Sequence, residues 1–123
     1  MPTLRISFHQ GQFEGRRARI SPHLVRAPLE ARDEPLAHFY DRLLSVLRLP
    51  AVRDGQWQLL ACVPAWDGNP TWDEFLAFLW QGPGGERLLA VVNYAGSQGQ
   101  CYVWLPIEGA TGSTLRFGDL MSD

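Results

Sequence analysis

Phe75-Leu76-Ala77-Phe78-Leu79-Trp80, then Gly82-Pro83-Gly84-Gly85, then Glu86-Arg87-Leu88-Leu89-Ala90-Val91-Val92-Asn93-Tyr94 is the stretch that decides the fold. Two apolar runs of strand length around a cluster of turn residues predict a β-hairpin, with strands near 74–80 and 87–94. Residues 75–79 and 88–92 are apolar on both alternating sets of positions, which predicts central strands covered on both faces.

Outward from the hairpin the same grammar repeats. Asp54-Gly55 introduces an expected strand over 56–63, and Asp67-Gly68-Asn69-Pro70 separates it from the hairpin. Gly96-Ser97-Gln98-Gly99 and the glycine-containing stretch 109–113 set off further strands near 100–106 and 114–117. Short strands at this spacing predict an antiparallel meander or Greek-key sandwich. Around Cys101 the alternation puts Cys101, Val103 and Leu105 on one face and Gln100, Tyr102 and Trp104 on the other. That second, aromatic face is either covered by another domain or used for binding.

Upstream lies a helix, expected over 33–50. Asp33, Glu34 and Pro35 suit its first turn. Leu36, Phe39, Tyr40, Leu43, Leu44 and Leu47 recur at three- and four-residue intervals as one apolar face, Asp41, Arg42, Ser45 and Arg48 point away, and Leu49-Pro50 ends it. Residues 1–32 read as irregular, although Leu4-Arg5-Ile6-Ser7-Phe8 resembles a strand entered midway. The chain divides as an irregular segment 1–32, a helix 33–50 and a β-domain 51–123 forming one unit with the helix: mainly β with one N-terminal α-helix.

Composition narrows the function. With 123 residues, 46% apolar and 20% charged, the chain suits one ordinary core. The net charge of −2 and scattered arginines argue against a nucleic-acid partner. Arg16, Arg17 and Arg19 read as solvated or carboxylate-paired. Neither a secretory leader nor a run of roughly 20 apolar residues is present, so the expectation is a cytoplasmic protein that does not engage a membrane. Cys62 and Cys101, in apolar strand-like surroundings, read as buried free thiols. His9, His23 and His38 lack metal-ligand spacing, and no cofactor is expected.

Phe39-Tyr40-Asp41-Arg42-Leu43-Leu44-Ser45-Val46-Leu47-Arg48, followed by Arg53-Asp54-Gly55-Gln56-Trp57-Gln58-Leu59-Leu60, resembles the place in α-amylase superfamily glycoside hydrolases where the last barrel helix leads into the C-terminal β-domain. Residues 75–80 and 86–94 are similar to that domain's central hairpin, in which a strand ending in asparagine is typical. Phe8-His9-Gln10-Gly11-Gln12-Phe13-Glu14-Gly15-Arg16 resembles the loop after the eighth barrel strand. The resemblance implies an antiparallel β-sandwich, a missing catalytic (β/α)8 barrel as partner, and a fragment or truncated reading frame. It also implies that the catalytic carboxylates, which belong to earlier barrel strands, are absent. No catalytic residue is assigned, and the chain is not expected to be an enzyme on its own.

Five tryptophans remain to be placed. Trp57 and Trp80 are expected in the core. Trp66 and Trp72, flanking residues 67–70, either form a platform for an α-glucan or close the loop hydrophobically. Trp104, beside Tyr102, either packs on a helix or the missing barrel or joins the same carbohydrate surface. A further reading is self-association with another copy through the apolar helix face and aromatic strand face.

Overall fold

Asp33 opens the main helix as expected: its Oδ1 accepts the Leu36 backbone N–H at 3.1 Å, and its carbonyl accepts that of Ala37 at 2.9 Å. In the computed structural model, which describes residues 7–9, 11–18, 23, 26 and 28–122, this helix, α1, spans Glu34–Leu47. The expected single helix over 33–50 is in fact two. Pro50 starts a second short helix, α2 (Pro50–Arg53), instead of only terminating the first, because at the first helical position its missing N–H costs nothing.

The chain divides into two units, residues 1–45 with 120–123 and residues 46–119. In the first, Gly11 (φ +84°) and Gly15 (φ +68°) bracket a 3-10 turn over Gln12–Glu14. The turn is anchored by Phe13, whose ring meets Tyr40 edge-on at 5.2 Å and Phe8 at 5.0 Å. Gln12 Nε2 donates to the Tyr40 hydroxyl at 2.8 Å. The Glu30 carboxylate accepts the backbone N–H groups of Arg17 and Ala18, and Arg16 pairs with Glu14. The described part of the segment read as irregular is thus held by ring packing and charge-assisted hydrogen bonds. Residues 4–6 of the expected strand, Gln10 and Arg19 lie outside the described residues.

The second unit carries two antiparallel sheets. The first has the order β1-β3-β4, with β1 over Gln56–Leu60, β3 over Phe75–Gln81 and β4 over Arg87–Asn93. The second pairs β2 (Cys62–Val63) with β5 (Tyr102–Val103). The hairpin is present as expected: Gly82 N–H donates to the Glu86 carbonyl at 2.9 Å, and β4 stops at Asn93. Asn93 makes the stop, since its Oδ1 accepts from Ala95 N–H and its Nδ2 donates to the Ser97 carbonyl, both at 2.9 Å.

Five expectations are corrected here. The strand over 56–63 is split at Ala61, where the chain passes from one sheet to the other; the Ala61 carbonyl accepts the Trp104 N–H at 3.3 Å. The strand over 100–106 shrinks to two residues, and 114–117 forms no strand, since Leu115 and Phe117 find no partner strand among the described residues. β3 is central, but β4 is an edge strand with Val91 and Val92 exposed. Trp57, 43% exposed, and Trp80, half-buried, both lie outside the core.

The core follows from register. Leu60 pairs with Ala77, and Leu79 with Leu89, so these side chains share one face of the first sheet. Leu60, Ala77 and Leu79 are buried there, with Cys62, Leu89, Val103 and Leu105 packed against them. The expected inward set Val103 and Leu105 is therefore inward. The two sheets meet across this layer, which makes the domain mainly β and antiparallel, with one principal helix in the chain.

Candidate functional site

The opposite face of the first sheet is apolar at every position. Register places Trp57 and Leu59 of β1, Leu76, Phe78 and Trp80 of β3, and Leu88, Ala90 and Val92 of β4 on it together. Its polar neighbours in sequence, Gln58 among them, fall on the other face. Leu59 is 57% exposed, and Trp57, Leu76 and Val92 are also exposed, while Phe78, Trp80, Leu88 and Ala90 are half-buried. Phe78 and Trp80 stack edge-to-face at 5.4 Å, giving the patch a rigid aromatic centre. This explains the apolar run on both sets of β3 positions without covering both faces: one set faces the core and the other is an open surface.

A second surface is built around Asn69, which the sequence marks only as turn punctuation. Asn69 is buried, its Nδ2 donating to the Gln100 carbonyl at 2.7 Å and its Oδ1 accepting the Thr71 N–H at 2.9 Å. The Thr71 hydroxyl in turn accepts the Gln100 N–H at 3.0 Å. These bonds fasten the loop carrying Trp66 and Trp72 to the residue that leads into β5, which carries Tyr102. Trp104 and Tyr102 stand 70% and 63% exposed, and Trp66 and Trp72 are exposed as well. The four candidate carbohydrate-stacking residues are thus all solvent-accessible on two segments joined through one asparagine. Among the described residues no ring contact joins the four. Replacing Asn69 with alanine is expected to cost about 1–3 kcal/mol, because it leaves the Thr71 N–H without its acceptor and the Gln100 carbonyl with only the Thr71 hydroxyl; urea unfolding followed by circular dichroism measures it.

The remaining polar chemistry is sparse. Glu74 has one carboxylate oxygen shut off from solvent and without a hydrogen-bond donor. Among the described residues no three His, Cys, Asp or Glu side chains gather as a metal site, and no helix is long and apolar enough to cross a membrane. Cys62 and Cys101 are free thiols, half-buried and not fully enclosed. Burial raises the Cys101 pKa, and the neighbouring Cys62 raises it further by charge and by a thiol hydrogen bond.

No protein-family model, curated protein or solved structure matches the chain.

Proposed function

We propose that residues 46–119 form a non-catalytic accessory β-module whose apolar sheet face covers a protein partner. The partner is a (β/α)8 barrel of an α-amylase-like glycoside hydrolase acting on α-glucans or related sugars. The observation that carries this reading is the open face of Trp57, Leu59, Leu76, Phe78, Trp80, Leu88, Ala90 and Val92. A continuous apolar surface of this kind marks an interaction site, and its Trp and Phe residues are the types that anchor interfaces. The barrel as occupant rests on the resemblance of residues 39–60 and 75–94 to the end of such enzymes. On this reading the two sheets are the halves of an amylase-type Greek-key sandwich, and the chain works in the cytoplasm beside its barrel.

The test mixes the chain with an α-amylase-like barrel whose own C-terminal β-domain has been removed. A one-to-one complex is expected by sedimentation velocity. Leu59→Lys with Val92→Lys, both at exposed positions, is expected to weaken it at least tenfold while leaving the circular dichroism spectrum unchanged. No complex, or turnover of an α-glucoside by the chain alone, would overturn the proposal.

The exposure of Trp66, Trp72, Tyr102 and Trp104 supports a second reading, a carbohydrate-binding module. Its signature is a saturable change in tryptophan fluorescence on titration with maltooligosaccharides, removed by Trp104→Ala. Self-association through the apolar face gives a third outcome, a concentration-dependent dimer in the absence of any barrel.

A further inference from the structure

Cys62 and Cys101 are the only cysteines in the chain, and the fold brings them together although 38 residues separate them in sequence. β2 and β5 pair antiparallel with Cys62 directly opposite Val103. Cys101 lies two positions before Val103, so the period of two puts its side chain on the same face, diagonal to Cys62 across the ladder. That face is the inward one: Cys62, Val103 and Leu105 all pack on the Leu60, Ala77 and Leu79 core. The Cys62 thiol is a near enough neighbour to push the Cys101 pKa up. Both keep some exposure to solvent, so a small oxidant can reach them.

We propose that Cys62 and Cys101 form a reversible intramolecular disulfide, with small peroxides as the oxidant class, that locks β2 to β5. One thiol, as its thiolate, attacks a peroxide oxygen; the O–O bond breaks, the sulfur becomes a sulfenic acid, and hydrogen peroxide leaves as one water. The second thiol's sulfur then attacks the sulfenic sulfur, the S–S bond forms, the S–O bond breaks, and a second water departs with the remaining protons. Two thiols and one hydrogen peroxide give one disulfide and two waters. A thiol-bearing reductant reverses the sequence by disulfide exchange.

The location gives the bond its effect. β2–β5 is only two residue pairs long, and β5 is flanked by Gln100, to which the Asn69 loop is tied, and by Trp104. A covalent link closing the long loop between positions 62 and 101 removes freedom from the unfolded chain and holds this short ladder shut. Burial and the neighbouring Cys62 raise the Cys101 pKa, which disfavours its thiolate.

The experiment exposes the intact chain to hydrogen peroxide, blocks remaining thiols with an alkylating agent under denaturing conditions, and measures intact mass and protease fragments. A monomer lighter by two hydrogen atoms, with no alkylation and a crosslinked Cys62–Cys101 fragment, is expected. Its melting temperature should rise by about 5 °C or more and return on adding dithiothreitol. Cys62→Ser and Cys101→Ser should each lose the crosslink and the thermal shift, and alkylation of their remaining thiol after arsenite reduction should reveal a sulfenic acid. Two alkylatable thiols after prolonged peroxide treatment at pH 8.5, or crosslinking only between chains, would overturn the proposal. Neither result depends on a barrel or a sugar.

Discussion

Leu79→Ala is expected to destabilise the β-unit by about 2–5 kcal/mol, enough to leave much of the chain unfolded at 37 °C. Leu79 is 2% exposed on the central strand, paired with Gln58 on one side and Leu89 on the other. Its neighbours in the core are few, Leu60 and Ala77 being the other buried members of the cluster. A domain of this size holds only roughly 5–10 kcal/mol in total, so a cavity at the middle of so small a core removes a large share. Leu76→Ala, one strand position class away on the open face, should cost well under half as much because Leu76 is already partly hydrated. Urea midpoints of the two variants compare them directly. Equal losses would mean that both faces of β3 are packed.

Gly55→Ala is expected to cost about 3 kcal/mol for a different reason. Gly55 joins α2 to β1, where a Cβ would meet the Ala51 carbonyl oxygen and lie 2.5 Å from the carbonyl oxygen of Gln81. Both obstacles are backbone, one in a helix and one at the end of the central strand, so neither can swing aside as a side-chain tip would. Gly96→Ala is the control, since its Cβ would meet nothing within 4 Å. That change should be neutral or slightly stabilising through the unfolded chain. Thermal melts of the pair test the contrast; similar midpoints would show that the α2–β1 joint yields.

Which parts of this could be read from residues follows from how local their causes are. The Asp33 cap and the 82–86 turn each depend on residues within a few positions, and each stands where the sequence places it, whereas the strand expected over 87–94 stops one residue short, at Asn93. The extent of the β2–β5 ladder depends on pairing across 39 positions, so alternation around Cys101 showed which side chains turn inward but not that only two residues would pair. An apolar run on both faces of β3 and β4 has two physical origins, burial in one's own chain or burial in a partner, and the period of two cannot separate them. Trp57 illustrates this: a large apolar residue in a strand is core unless the layer above it is missing. Asn69 was invisible for the converse reason. Its role is set by the carbonyl of Gln100, a backbone atom that carries no sequence signal.

Ala61, where one extended segment leaves the first sheet and enters the second, makes the two sheets parts of one mechanical element. Tension applied along β1 is transmitted through a single peptide unit into the β2–β5 ladder, with no loop between them to take up slack. Opening either sheet therefore strains the other, and the amides of Leu60 and Trp104 should lose hydrogen-exchange protection together, as one foldon.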